Sequence, residues 1–149
     1  MKILSRRLID MGNKAVVYFD GGTKYNLICV VRGDIRVVKK MKKKMTNNEL
    51  EWMALLLAIQ FMGSRVEGKD ITVYGDSKLI INQMNGKNKI NKEVFAAIKD
   101  QCVAEADYSF DKYNNVFRYV WVNRDENKAG IRLDKIVRKI NMRGGIWYD

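Results

Sequence analysis

Three carboxylates stand where a fold could bring them together. Asp20 follows a short apolar run and precedes two glycines, and Asp76 follows a second apolar run. Glu51 lies in apolar residues at helical spacing. Because converging carboxylates repel one another unless a cation lies between them, the set predicts a site for Mg²⁺ or Mn²⁺. Two such ions about 3.5–4 Å apart can hold a phosphodiester and activate a water.

Other common catalytic groups are missing from the sequence. The chain has no His, which excludes Ser-His-Asp and Cys-His catalysis and His-ligated zinc. Two cysteines, Cys29 and Cys102, are too few for a disulfide scaffold or a thiolate metal site, and we interpret them as buried apolar residues. Catalysis would therefore depend on carboxylates, Lys, Tyr or the backbone.

The composition indicates a basic globular protein. The 149 residues include 28 Lys or Arg against 17 Asp or Glu, a formal charge of +11, which favours a polyanionic partner. Apolar residues make up 47% of the chain, which excludes a disordered protein. We expect a single domain over residues 1–149, a monomer, with no membrane partner, no signal peptide and a cytoplasmic location.

Apolar patterning predicts the elements that position the acids. Strands are expected at 15–19, 25–32, 35–41, 71–74 and 116–122. A long helix is expected to follow the polar cap residues 46–48 and to end at Gly63, and further helices are expected at 78–84, at about 92–107 and from 125 onward. A two-residue turn, Gly33-Asp34, joins the second and third strands. Asn48 and Glu51 have the spacing of a capping box, and Leu79, Ile80 and Met84 are expected to point inward.

This element order predicts an α/β fold with a five-stranded mixed sheet. The first three strands would form an antiparallel meander, and the last two, which follow helices, would add in parallel to the first strand. Helices would flank the sheet. If the first and fourth strands are neighbours, Asp20 and Asp76 project at the same edge.

Four motifs in chain order resemble the type 1 ribonuclease H family over about residues 15–141. They are Tyr18-Phe19-Asp20-Gly21-Gly22 with Asn26, Thr46-Asn47-Asn48-Glu49-Leu50-Glu51, Val73-Tyr74-Gly75-Asp76-Ser77 with Asn82-Gln83-Met84-Asn85-Gly86, and Val122-Asn123-Arg124-Asp125-Glu126-Asn127. The resemblance implies the ribonuclease H-like fold and hydrolysis of RNA paired to DNA, which leaves a 5′-phosphate and a 3′-hydroxyl. It also implies two Mg²⁺ ions, with Mn²⁺ as a substitute.

The same resemblance assigns roles to individual residues. Asp20 would bridge both ions, with Glu51 and Asp76 on the second ion. The predicted contacts with an RNA–DNA hybrid are Gly21, Gly22, Asn26, Thr46, Asn47, Asn48, Ser77, Lys87 and Lys89. Of these, Asn47 and Asn48 would face the DNA strand and Thr46 would hold a DNA phosphate. Together with Lys92, Lys87 and Lys89 would replace by charge alone a basic helix that some relatives carry.

The fourth acid departs from the family pattern. Gly130 and Ile131 occupy the positions after Asn127 where the family has an Ala-Asp pair. We assign Asp134, one helical turn later, as the fourth ligand, on the first ion. Asp125 and Glu126 are rival candidates.

Other interpretations fit parts of the pattern. Each acidic motif alone is also typical of a turn, a first-turn acid or a helix cap. The basic run 36–44 fits a solvated strand edge or a phosphate contact. We interpret the three Trp residues as packing residues and assign no partner to the aromatic tail 146–148. The alternative functions are another nuclease on this fold, such as an exonuclease or resolvase, and a nucleic-acid-binding module without catalysis.

Overall fold

Five strands form one mixed sheet in this computed structural model, which describes residues 13–146. They are β1 (Lys14–Gly22), β2 (Leu27–Arg32), β3 (Ile35–Lys40), β4 (Asp70–Gly75) and β5 (Val116–Trp121). The spatial order is β3-β2-β1-β4-β5, with β1, β2 and β3 antiparallel and with β4 and β5 parallel to β1. This is the predicted sheet.

Four helices complete the described fold. They are α1 (Asn47–Gly63), α2 (Lys78–Met84), α3 (Glu93–Tyr113) and α4 (Lys128–Met142), and a short 3₁₀ turn, Arg124–Glu126, precedes α4. The predicted order of elements is therefore confirmed. Helix α3 is longer than expected and ends where Asn114 adopts a left-handed conformation with φ of 60°.

Apolar side chains fill both faces of the sheet. The larger core lies between the sheet and helices α1 and α3, and a smaller core lies between β2 and α4. Trp52, Cys29 and Cys102 are fully buried, as predicted. Leu79 is 43% exposed, so its predicted inward position is wrong. Successive side chains on a helix point about 100° apart. Because Ile80 points toward the core, the neighbouring Leu79 side chain points away from it.

The start of α1 differs from the expected capping arrangement. The Thr46 hydroxyl accepts a hydrogen bond from the Glu49 backbone, and the Glu49 carboxylate accepts one from the Thr46 backbone, both at 3.2 Å. This reciprocal pair is the capping box, so the predicted Asn48–Glu51 box is wrong. Because Glu49 caps the helix, the Glu51 side chain is available elsewhere.

Strand β1 continues through the residues that were expected to end it. Gly21 pairs with Ile28, and Gly22 pairs with Leu27 on β2. A Cβ at Gly21 would lie 2.6 Å from the Leu50 carbonyl carbon. Glycine at this position therefore allows α1 to approach β1 closely, which brings the helix onto the strand that carries Asp20.

The edge strand β3 carries the basic run. Its Arg and Lys side chains, and those of the loop that follows, are exposed over residues 36–44. Trp121, 36% exposed, packs beneath the Lys78 ammonium, which lies 4.5 Å from its ring centre. Trp147, Tyr148 and the N-terminal segment 1–12 lie outside the described residues. No helix in the part of the chain described here is long and apolar enough to cross a membrane.

Candidate metal centre

Asp20, Glu51 and Asp76 meet at one edge of the sheet. Each contributes a carboxylate oxygen, and these oxygens all lie within 4.8 Å of one another. Asp20 and Glu51 are buried, and Asp76 is partly buried. Three elements supply them: β1, α1 and the end of β4. The acids predicted from the sequence are therefore brought together around a common point.

The parallel pairing of β1 and β4 sets two of these positions. Tyr18 on β1 pairs with Tyr74 on β4. Asp20 and Asp76 each lie two residues after this pair, so they are at equivalent positions along the two neighbouring strands. Side chains two residues apart on a strand point to the same side. Gly75 makes room at this edge, since a Cβ there would lie 2.4 Å from the Phe19 ring. The sheet thus places the two carboxylates side by side.

Burial and mutual repulsion disfavour the charged forms of two of the acids. Burial, followed by the charges of Asp76 and Glu51, raises the pKa of Asp20 from 3.8 to about 7. Burial and then the Asp76 charge raise the pKa of Glu51 from 4.5 to about 6, although the polar Ser77 and Asn47 side chains oppose this. A cation held among these groups would remove this cost.

The donor set fits a hard divalent cation. The Asn47 amide donates a 3.3 Å hydrogen bond to Glu51 Oε1, whereas Glu51 Oε2 is buried with no hydrogen-bond partner among the described residues. A buried acceptor without a partner is costly unless something else binds it. Carboxylate oxygens without His or Cys suit Mg²⁺ or Mn²⁺. Glu51 Oε2 is thus available as a ligand atom.

Asn127 orients Asp76 and was not singled out as a site residue from the sequence. Its fully buried side-chain amide donates 3.0 Å hydrogen bonds to Asp76 Oδ2 and to the Phe19 carbonyl. Its side-chain oxygen accepts a 3.1 Å hydrogen bond from the Ala129 backbone and so caps α4. Its place at the end of the fourth family motif and its position at the start of a helix are the sequence signals that could have identified it.

Gly130 faces the acid cluster from the first turn of α4. A Cβ at this position would lie 3.3 Å from Asp20 Oδ2 and 3.5 Å from Asp76 Oδ2. Any larger side chain would therefore enter the space in front of the two carboxylates. Glycine keeps this space open at the point where the family pattern has an Ala.

Asp134 lies beside the acid cluster and is not part of it. Its side chain is 57% exposed, and Oδ1 lies 3.6 Å from Arg124 Nη2. Arg124 Nη1 lies 3.9 Å from Asp76 Oδ2, so one guanidinium stands between the two acids. Asp125 and Glu126 are exposed on the 3₁₀ turn and also lie outside the cluster. Arg124 was missed in the sequence analysis.

Comparison with known proteins agrees with this geometry. The model of a ribonuclease H-like family, described as reverse transcriptase-like, matches residues 23–135, more than half of the chain. The chain belongs to this ribonuclease H-like family. Its membership confirms the resemblance that the four sequence motifs indicated.

Solved structures of ribonucleases H have the same fold. One from the archaeon Halobacterium salinarum is 20% identical, with a TM-score of 0.65 over 85% of this chain and 98% of that chain. The N-terminal ribonuclease H domain of a Mycobacterium tuberculosis protein is 22% identical, with a TM-score of 0.66 over 89% and 99%. LC11 ribonuclease H1, isolated from compost, was solved with an RNA/DNA hybrid and is 25% identical, with a TM-score of 0.65 over 86% and 99%.

Several residues predicted to contact a hybrid in this ribonuclease H-like chain also have structural partners. Thr46 caps α1, Asn47 donates to Glu51, and Ser77 caps α2 by accepting a 3.2 Å hydrogen bond from the Ile80 backbone. Asn48 is half-buried in the first turn of α1. These residues lie beside the acids, and their contact with nucleic acid stays a prediction.

Asn26 holds the loop that leads into α1. Its amide nitrogen donates to the Met41 and Lys43 carbonyls at 2.9 and 2.7 Å, and its oxygen accepts from the Met45 backbone at 3.0 Å. These three bonds give the side chain a structural role, and contact with nucleic acid stays a prediction. Lys87 and Lys89 are exposed in the loop after α2, and their contact with nucleic acid stays a prediction.

Proposed function

We propose that this protein is a metal-dependent endoribonuclease that hydrolyses the RNA strand of RNA–DNA hybrids. The products would carry a 5′-phosphate and a 3′-hydroxyl. The observation that carries this proposal is the convergence of the Asp20, Glu51 and Asp76 oxygens within 4.8 Å in a chain of net charge +11. A local acidic centre in a basic protein suits divalent cations and a polyanionic substrate.

Asp20, Glu51 and Asp76 would hold two Mg²⁺ ions, or Mn²⁺ as a substitute, with Asp20 shared between them. Divalent cations bound there would supply an acidified water as nucleophile and neutralise charge on the leaving 3′-oxygen. The unpartnered Glu51 Oε2 and the raised pKa values of Asp20 and Glu51 support this assignment.

The chain's own residues prepare the centre. Asn127 fixes the orientation of Asp76, and Asn47 fixes that of Glu51. Gly130 leaves room in front of the acids. Asp134 is proposed as the fourth ligand, because the Arg124 guanidinium that pairs with it also approaches Asp76. A divalent ion that took the place of this guanidinium would lie between the same two carboxylates.

The proposed substrate is an RNA–DNA hybrid. In this proposal, Thr46, Asn47 and Asn48 contact the DNA strand at the start of α1, and Lys87 and Lys89 bind phosphates further along. The backbone of Gly21 and Gly22, beside Asp20, would lie along the RNA strand. The structure of LC11 ribonuclease H1 with an RNA/DNA hybrid supports the choice of substrate, since that enzyme shares the fold.

A second candidate is a nucleic-acid-binding module that does not catalyse hydrolysis. The exposure of Asp134 outside the acid cluster favours it, because a missing fourth ligand would weaken the binding of one ion. The two candidates make the same prediction for binding and opposite predictions for cleavage.

A cleavage assay on three labelled substrates separates the candidates. The hybrid, double-stranded RNA and duplex DNA are each incubated with the protein in Mg²⁺ and in EDTA. Cleavage of the RNA strand of the hybrid alone, and only with the metal, is the expected result. Cleavage of duplex DNA would favour another nuclease of this fold. Binding of the hybrid without cleavage of any substrate would favour the module.

A further inference from the structure

A basic groove lies between α4 and the β2–β3 hairpin. Arg36 on β3 and Lys128, Arg132 and Lys135 on α4 line a cavity of about 190 Å³. None of the described residues that line this cavity is acidic. The groove therefore brings four cations together with no carboxylate among them, which creates a strong positive potential.

Among the described residues, no acid forms an ion pair with these four cations. Within residues 13–146, the ion pairs found involve Arg124 and neither Arg36, Lys128, Arg132 nor Lys135. Arg132 Nε is buried and has no hydrogen-bond partner in the same part of the chain. A buried donor without an acceptor is unfavourable. The partly exposed guanidinium of Arg132 is a group that phosphate oxygens match well.

The positive surface continues into an adjoining cavity of about 800 Å³. The two cavities share Gly33 and Lys128, and the larger one adds Lys14, Arg32 and Lys69. Among the described residues that line the larger cavity, Asp34 is the single acid. Cations spread over two neighbouring cavities suit a polymer with repeated phosphates better than one free phosphate ion.

The groove is on the face of the sheet to which the Asp20 side chain points. The Lys128 ammonium lies 5.6 Å from the centre of the Tyr18 ring. Tyr18 and Asp20 are two residues apart on β1, so their side chains point to the same side. Helix α4 connects the two regions directly, since Lys128 begins it and Gly130 faces the acids.

We infer that this groove binds the sugar–phosphate backbone of a nucleic acid beyond the acid cluster. Its volume is below the roughly 300–1,000 Å³ of sites that enclose drug-sized ligands, which suits a phosphate group entering from a strand laid across the surface. The groove enlarges the region of nucleic acid that the protein contacts. The identity of that nucleic acid as a hybrid rests on the proposed function.

The test compares two double variants of the full chain. In the groove variant, Arg36→Gln/Lys135→Gln, two exposed cations are neutralised. In the control, Lys112→Gln/Arg118→Gln, two exposed cations that line neither cavity undergo the same change of charge. Binding of a fluorescent RNA–DNA hybrid is measured by anisotropy in EDTA at several KCl concentrations, and circular dichroism checks that each protein is folded.

The groove variant should bind the hybrid about tenfold more weakly at low salt. The slope of log affinity against log salt concentration should be smaller in magnitude by about 2 in this variant than in the wild type. The control should retain the wild-type slope and affinity. Equal losses in the two variants, or none in the groove variant, would overturn the inference. If the double variant does not fold, Lys135→Gln alone should reduce the slope by about 1.

Two further arms separate this inference from its competitors. If the groove variant loses binding to phosphatidylserine vesicles but still binds the hybrid like the wild type, the groove binds a lipid surface and the inference is overturned. Because the binding assay contains no divalent metal, it does not depend on cleavage. If the wild type binds the hybrid through the groove but cleaves no substrate, the proposed function alone is overturned. If the wild type cleaves the hybrid but the groove variant binds it as tightly as the wild type does, the groove inference alone is overturned.

Discussion

The side-chain amide of Asn127 donates a 3.0 Å hydrogen bond to the Asp76 carboxylate. The same amide reaches the Phe19 carbonyl on β1, so this buried side chain joins the start of α4 to the ends of two neighbouring strands. The hydrogen bond therefore fixes the orientation of the Asp76 carboxylate without any bound ion. Pre-orientation of a ligand in this way usually accounts for a factor of 10–100 in metal affinity or activity.

Removal of this amide should weaken both stability and activity. In Asn127→Ala, the loss of a helix cap and of a hydrogen bond to a carboxylate is expected to lower the free energy of unfolding by about 2–4 kcal/mol. Hydrolysis should fall by about tenfold or more at saturating Mg²⁺. The control is Asn123→Ala, since the Asn123 side chain makes no cap hydrogen bond. Similar urea midpoints for the two variants would contradict the assigned role.

Two adjacent glycines should respond differently to the same substitution. A Cβ at Gly21 would lie 2.6 Å from backbone of Leu50, whereas one at Gly22 would meet only Leu133 Cδ1 at 3.9 Å. Gly21→Ala should therefore destabilise the protein by about 3 kcal/mol, because α1 must move away from β1. Gly22→Ala should change stability by less than about 1 kcal/mol. Thermal unfolding of both variants checks this, and an equal effect would be evidence against the close packing.

Without metal, the acid cluster should make stability fall as pH rises. The pKa of Asp20 is raised from 3.8 to about 7 and that of Glu51 from 4.5 to about 6. A pKa that is higher in the folded state gives stability that is complete below the unfolded value and is lost as pH rises through the folded value. The contribution of these two groups should therefore decline between about pH 4 and pH 7.

Asp20→Asn tests this relation directly. In EDTA, the variant should match the wild type near pH 4 and should be more stable at pH 8 by on the order of 2 kcal/mol. Addition of Mg²⁺ at pH 8 should stabilise the wild type and leave the variant almost unchanged. Urea unfolding at a series of pH values measures the difference. A wild type that is as stable as the variant at pH 8 without metal would rule out the proposed repulsion.

Asp134→Asn tests the fourth ligand. If Asp134 binds an ion, cleavage should fall at least about 100-fold, while hybrid binding in EDTA is retained. The control is Asp125→Asn on the exposed 3₁₀ turn, which should keep near-normal turnover. Near-normal turnover of Asp134→Asn would move the assignment to Asp125 or Glu126. Single-turnover cleavage with excess enzyme separates this effect from substrate affinity.

Much of the fold was predictable because its signals are local. All five strands and the order of the elements were predicted from apolar runs, the Gly33-Asp34 turn and the helical spacing after Thr46. Chain order and the preference for right-handed crossovers then limited the sheet to few topologies. The convergence of the three acids followed from that topology together with the family resemblance.

The remaining features depend on neighbours that are distant in sequence. Asp20-Gly21-Gly22 resembles a strand-ending turn, and only the pairing with β2 and the approach of α1 show why β1 continues through it. Glu49 rather than Glu51 completes the capping box, because Glu51 turns toward the acids. Three of the groove cations share α4, whereas Arg36 is far from them in the chain, and only the packing of α4 on the hairpin brings Arg36 to the same cavity.

The central claim is that the three converging carboxylates hold divalent ions, and calorimetric titration with Mg²⁺ at pH 8 tests it most directly. The account predicts saturable binding to the wild type and loss of that binding in Glu51→Gln, which removes the charge of the acid with the unpartnered oxygen. A wild type that binds no Mg²⁺, or a Glu51→Gln variant that binds it as tightly as the wild type, would contradict the account.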